Sequence, residues 1–300
     1  MFNKPKVEIK INEVENRKRV KLTDNKNKVH RLPTFYDGED ISGKVEIFLT
    51  SKTFEHKGVK LQLIGEIKNL QKLKSKTKST FISLSNELIP PGVITEPMTT
   101  LPFVFNKLQA QYESYKGDFV EVRYYIRVTI ITTLRDLKFD SEFSVINPQD
   151  ESILKQNDEQ IKLDVGIEDK LKLSIVFFSK NYKLKGEMNG EVTFKKVNFD
   201  LKSMDLMIMK REIMKGDDDY DPAILGKYEI MDGGPFSNET VPIRIYLKPY
   251  DLTPTYDNVN NKFSVRYYIN LVLVDSTGNK FFKQKEVCFY RIKKKKKKVI

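Results

Sequence analysis

The pentapeptide Val-Arg-Tyr-Tyr-Ile occurs twice, at residues 122–126 and 265–269, each time inside a long run in which apolar and polar residues alternate. In the first run Val120, Val122, Tyr124, Ile126, Val128 and Ile130 fall on one side; Glu121, Arg123, Tyr125, Arg127 and Thr129 fall on the other. Successive side chains of a strand point to opposite faces, so this alternation describes a strand with one face buried and one face wet. The second run places Phe263, Val265, Tyr267, Ile269, Leu271 and Leu273 on its buried face.

The duplication reaches beyond these strands. Residues 41–45 (ISGKV) have a counterpart in 188–192 (MNGEV), with Gly43 and Gly190 expected at the turn into a strand. Residues 59–67 (VKLQLIGEI) correspond to 204–213 (MDLMIMKREI), and Pro102 before Phe-Val-Phe corresponds to Pro242 before Ile-Arg-Ile. Landmarks that recur in one order predict two tandem domains of like architecture. The spacing predicts an N-terminal domain over 1–147, a polar linker over 148–160, a C-terminal domain over 161–292 and a basic tail over 293–300. Short strands separated by turn signals, with no long amphipathic helix, predict an all-β fold of two β-sandwiches. Residues 16–28 are expected to form a charged loop, and the Lys- and Ser-rich stretch 73–88 a solvated edge or hairpin.

A chain of 300 residues suits two cores. Of its formal charge of +12, six come from the lysines of the tail, and acidic residues are interspersed elsewhere, so no nucleic-acid partner is expected. A single cysteine excludes an intrachain disulfide framework. No run approaches the roughly twenty apolar residues of a membrane span, and the start lacks the apolar segment of a secretion signal. A cytoplasmic protein is expected.

Catalytic and metal signals fail on context. Residues 38–44 have P-loop spacing up to Lys44, but Val45 stands where Ser or Thr should hold magnesium, and a strand follows instead of a helix; a turn is expected. Asp217, Asp219 and Asp221 open like a calcium loop. Pro222 then occupies the position that needs glycine, and Tyr228 stands in place of the closing Glu, so an acidic surface loop is expected. His30, His56 and Cys288 are too few for a zinc site or a Cys-His nucleophile. Neither catalytic residue, cofactor nor metal is predicted. The lysine tail reads as a solvated end, with attraction to anionic lipid as an auxiliary role.

Tyr228, Ile230, Met231 and Asp232 precede a Gly-Gly-Pro turn, where two large apolar side chains either fold back into the sandwich or wait for a partner. Here the chain resembles a known family. Residues 227–233 (KYEIMDG), 263–275 (FSVRYYINLVLVD), 165–169 (VGIED), 36–45 (YDGEDISGKV) and 112–115 (YESY) are similar to the arrestin-like subunit of the retromer cargo-sorting complex, the vacuolar protein sorting-associated 26 family. The resemblance implies two arrestin-like β-sandwiches, no enzymatic activity, and a cargo-selective subunit peripheral on the endosome membrane. It further implies docking on an α-solenoid scaffold subunit through Ile230 and Met231, with Tyr228 and Asp232 beside them. It also implies that sorting nexins and cytosolic tails of membrane cargo meet a groove near the domain junction at Val165 and Phe282, for retrieval to the Golgi or the plasma membrane. The corresponding subunit of the related retriever assembly, or a free arrestin-type adaptor, is the alternative within this class. An enzyme or carbohydrate-binding β-sandwich using the acidic loop as a metal site is the alternative outside it.

Overall fold

The computed structural model describes residues 4–23, 29–70, 78–156, 158–167, 170–198, 200–215 and 222–293, without the side chains of Leu22, Thr23 and His30. The acidic loop 216–221, most of the lysine-rich insert near residue 75 and the tail beyond Lys293 lie outside the described residues. The chain divides into two compact units, 1–147 and 148–300.

The first unit contains β1 (Lys6–Ile11), β2 (Arg19–Thr23), β3 (Val29–Tyr36), β4 (Ile41–Phe48), β5 (Phe54–His56), β6 (Val59–Asn69), β7 (Lys78–Ile89), β8 (Gly92–Ile94), β9 (Met98–Phe105), β10 (Tyr115–Lys116), β11 (Val120–Ile130) and β12 (Leu137–Ile146). One sheet has the order β1-β4-β9; the other runs β2-β3-β12-β11-β6-β7, with β10 added to β11. The second unit contains β13 (Ile161–Ile167), β14 (Leu171–Phe177), β15 (Asn181–Lys183), β16 (Glu187–Val197), β17 (Leu201–Met214), β18 (Ala223–Asp232), β19 (Thr240–Tyr246), β20 (Tyr256–Val259), β21 (Phe263–Asp275) and β22 (Lys280–Tyr290). Its sheets are β13-β14-β16-β19 and β15-β22-β21-β17-β18, with β20 added to β21. The only described helices are short 3₁₀ turns at Val14–Asn16 and Glu151–Leu154.

The two units repeat one plan down to an uncommon detail: β3 runs parallel to β12 and β15 runs parallel to β22, while the other ladders are antiparallel. The repeated strands are the spines, β11 between β6 and β12, β21 between β17 and β22. On β11 the alternating set from Val120 to Ile130 is fully buried, and on β21 the set from Phe263 to Leu273 is buried likewise. Burying each such side chain contributes roughly 1.5–3 kcal/mol, which makes the alternation the main source of register. Tyr124 meets Phe81 edge-on at 5.5 Å, and Tyr267 meets Phe289 edge-on at 4.9 Å. Together these residues form two all-β sandwiches of the arrestin-like kind.

Several local expectations change. Tyr125, expected on the wet face, is buried, because Arg123 and Arg127 stack their guanidinium groups over its ring at 4.6 and 4.9 Å. Gly43 and Gly190 do not turn the chain; both lie within strands, β4 and β16. A Cβ would meet the Lys10 carbonyl oxygen at 2.2 Å in the first case and that of Val176 at 2.5 Å in the second, so each glycine lets neighbouring backbone approach closely. The expected loop over 16–28 contains β2, which pairs with β3 from Arg19↔Pro33 to Thr23↔Val29. The expected linker is tied to the second unit: the Gln149 amide donates to the Arg291 carbonyl, the Lys293 amide donates to that of Gln149, and Lys183 pairs with Glu151.

Candidate protein-binding site

Residues 228–232 are the end of an edge strand, not an isolated loop. β18 pairs with β17 on one side and has no described strand on the other. Two β-bulges interrupt this ladder. Between Met204↔Met231 and Asp205↔Glu229 the extra residue is Ile230; between Ile208↔Gly226 and Met209↔Ile224 it is Leu225. A bulge bends the strand and re-aims the side chain it adds, and here it leaves Ile230 and Met231 half-buried at the sheet margin. The same bends set Tyr228 opposite Leu206 at the edge, 38% exposed, and leave Ile224 60% exposed.

Local chemistry fixes this edge. Gly226 lies under the ring of Tyr250, where a Cβ would come within 2.0 Å of a ring carbon, so only glycine allows Tyr250 to cover the strand. Asp205, buried on β17, pairs with Lys227 at 2.9 Å and anchors the strand from its outer face. Gly233 adopts φ +103° and donates its amide to the Lys202 carbonyl, ending β18 at the turn. Pro235 is buried, and Phe236 beyond it is 82% exposed. The result is a strand edge with no described strand partner beside a strip of apolar side chains, with Asp232 exposed at its end. An open strand edge of this kind offers a template on which another chain can pair.

Val165 and Phe282 lie in the second unit on neighbouring strands of different sheets. β13, carrying Val165, is the free edge of its sheet and packs alongside β22. β22 pairs with β15 only over Cys288–Tyr290, so its first half, carrying Phe282, has one edge without a described partner. Val165 is half-buried and Phe282 is 63% exposed. Two open strand edges with an exposed aromatic suit an extended peptide, which would bond to the main chain and place one side chain against the ring. A separate cleft of ≈ 400 Å³ lies in the same unit, lined by Leu154, Phe178 and Tyr182 among others, and includes neither residue.

Of the remaining candidates, the acidic loop and the His30 side chain lie outside the described residues. Gly38 to Lys44 is a turn followed by β4. His56 is buried, with its Nδ1 accepting from the Gly58 amide at 3.1 Å, and burial lowers its pKa. Burial, aided by the Glu286 carboxylate, raises the Cys288 thiol and keeps it a poor nucleophile. Among the described residues no group of three or more His, Cys, Asp or Glu could hold a metal ion. No described helix is long and apolar enough to cross a membrane.

Sequence reading missed the bulges, because alternation alone does not reveal a one-residue slip between strands. It also missed the outer face of β17 and β21. A position-by-position comparison of the two halves would have exposed that face, since Lys138 becomes Phe282 and Glu66 becomes Arg211.

The duplicated sandwich defines a class: a two-domain, arrestin-like β-sandwich protein. Comparison with known proteins narrows this. The family model for vacuolar protein sorting-associated protein 26 matches residues 2–278. The chain is 38% identical over 289 residues to human vacuolar protein sorting-associated protein 26B, covering 95% of this chain and 84% of that one. It is 39% identical over 292 residues to vacuolar protein sorting-associated protein 26 of Plasmodium falciparum (isolate 3D7), covering 96% of each. The chain belongs to the vacuolar protein sorting-associated protein 26 family, and its role is that of a retromer-type protein-sorting subunit.

Proposed function

We propose that this chain is the non-catalytic, cargo-selective subunit of a retromer complex, docked through the β18 edge on the α-solenoid scaffold subunit. The observation that supports it is the bulge that leaves Ile230 and Met231 half-buried beside exposed Tyr228 and Ile224. Burying the rest of an isoleucine and a methionine on a partner stabilises a complex by up to roughly 1.5–3 kcal/mol each. In this reading Asp232 and the open backbone edge of β18 form the polar rim.

The open edges of β13 and β22 receive the cytosolic tails of membrane cargo together with a sorting nexin, Phe282 supplying the side-chain contact and Val165 the neighbouring wall. The complex sits peripherally on endosomes and returns cargo to the Golgi or the plasma membrane.

Replacing Ile230 with Asp and Met231 with Asn places a charge at the centre of the docking surface, where it would be buried without a partner. Co-purification with the scaffold subunit is expected to be lost while the melting profile of the free protein is retained. Undiminished co-purification would overturn the docking assignment.

A further inference from the structure

The two repeated spine strands present the same outward face twice, and the two faces differ in one telling respect. On the first unit each outward arginine has a carboxylate partner. Arg123 is opposite Glu66 in register and bonds Glu142 at 2.6 Å, with Glu66 at 3.5 Å. Tyr125 donates to Glu66 at 3.0 Å, and Arg127 makes two bonds of 2.7 Å to Asp140. On the second unit Arg266 keeps the equivalent Glu286 at 3.5 Å and adds Asp257 at 2.9 Å. The place of Glu66, however, is taken by Arg211, which stands directly opposite Arg266.

Like charges opposite one another across strands are unfavourable, and Arg211 has no acid partner among the described residues to offset this. Its guanidinium lies 5.9 Å from the Tyr268 ring, and its buried Nε has no hydrogen-bond partner among the described residues. The same face has changed farther along the strands as well. By register Met207 stands where the first unit has Gln62, and Val272 where it has Thr129. Ile224, exposed on β18, is opposite Met209 two positions along the same face from Arg211. A cation with no described acid partner, two positions along the face from the Met209–Ile224 pair, is the complement of a carboxylate beside aliphatic groups.

We propose that Arg211 is the electrostatic anchor of the scaffold interface: the scaffold subunit covers the outer face of β17 and β18 and places a carboxylate on Arg211 beside Ile224. This rests on the docking of the scaffold at β18, and it extends that site from the strand edge onto the sheet face. A charge-assisted bond closed off from water in this way governs dissociation and rejects partners that lack the acid.

The test uses the full chain and the scaffold subunit, with affinity measured by calorimetry over a range of salt and the free protein followed by thermal melting. Arg211→Gln is expected to weaken scaffold binding by about thirty-fold or more and to flatten its salt dependence. Arg211→Lys is expected to recover part of the loss. The Tm of free Arg211→Gln is expected to stay level or rise, because a cation beside Arg266 has been removed. Glu66→Gln, on the equivalent face of the first unit, is expected to leave scaffold affinity unchanged. If Arg211→Gln binds the scaffold normally while the Ile230→Asp, Met231→Asn double variant does not, this inference fails and the docking site stands. If neither binds less well, the docking reading itself fails. A large fall in the Tm of Arg211→Gln, or a loss confined to binding of anionic phosphatidylserine vesicles, would also overturn the proposal, making Arg211 structural or lipid-binding.

Discussion

The hydroxyl of Tyr124 donates to the main-chain carbonyl of Tyr112 at 2.6 Å, tying the spine strand of the first unit to the loop that precedes it. Tyr267 does the same work in the second unit with Thr253, whose hydroxyl lies at 2.8 Å and whose amide donates to the tyrosine oxygen at 3.0 Å. Burial raises the pKa of both phenols, Tyr124 most strongly, so they remain neutral and their hydroxyls stay available for these bonds. The first tyrosine of the repeated pentapeptide is thus a tether in both copies, and the second tyrosine is an outward platform for arginine.

Tyr124→Phe and Tyr267→Phe keep the rings and remove the tethers. Each is expected to destabilise its own unit by about 1–3 kcal/mol, because a main-chain group loses its partner. Urea denaturation followed by tyrosine fluorescence checks this, and an unchanged midpoint in either variant would show that its loop is held by other contacts.

Gly43→Ala and Gly190→Ala are expected to destabilise by about 1–3 kcal/mol or more, since the added methyl must displace main-chain carbonyls that cannot rotate away. The substitution Gly233→Ala meets no neighbour and carries only the strain of φ +103°, so its effect should be smaller. Ranking the three by thermal melting tests the close approach of backbone within β4 and β16.

His56 predicts a pH dependence. Its folded pKa is lowered from 6.5 by burial, so the unfolded chain binds the proton more readily. The stability contributed by neutral His56 is therefore complete above 6.5 and declines as pH falls from there toward the folded value. Melting temperatures at about pH 7.5 and about pH 5.5 should differ more for the native chain than for His56→Gln, which cannot titrate. Equal differences would remove His56 as the source.

Phe282→Ala removes a side chain that is 63% exposed, so little stability should be lost. Recruitment of cargo tails should weaken about ten-fold or more while binding to the scaffold holds, as expected for an aromatic anchor at a separate site. Co-precipitation of both partners from one preparation measures the two effects, and parallel loss would dissolve the distinction between the β22 edge and the β18 edge.

Alternation of apolar residues along 120–130 and 263–273 is enough for the fold class, because it leaves one face to bury, and burial of that face fixes strand, register and sandwich together. The duplication was legible for the same reason, since two cores built alike repeat their alternation, their glycines and their prolines in one order. The tertiary structure alone decided what those residues meet. That Gly43 and Gly190 lie under neighbouring carbonyls, that Tyr125 is buried beneath two arginines, and that Ile230 is the extra residue of a bulge all follow from a neighbouring strand distant in sequence. Arg211 is the sharpest case: its sign can be read from one letter, but only the sheet sets it opposite a second cation, Arg266, fifty-five residues along the chain. Hydrophobic pattern is local and so readable from the chain; charge compensation belongs to pairs, and pairs exist only once the sheet has formed.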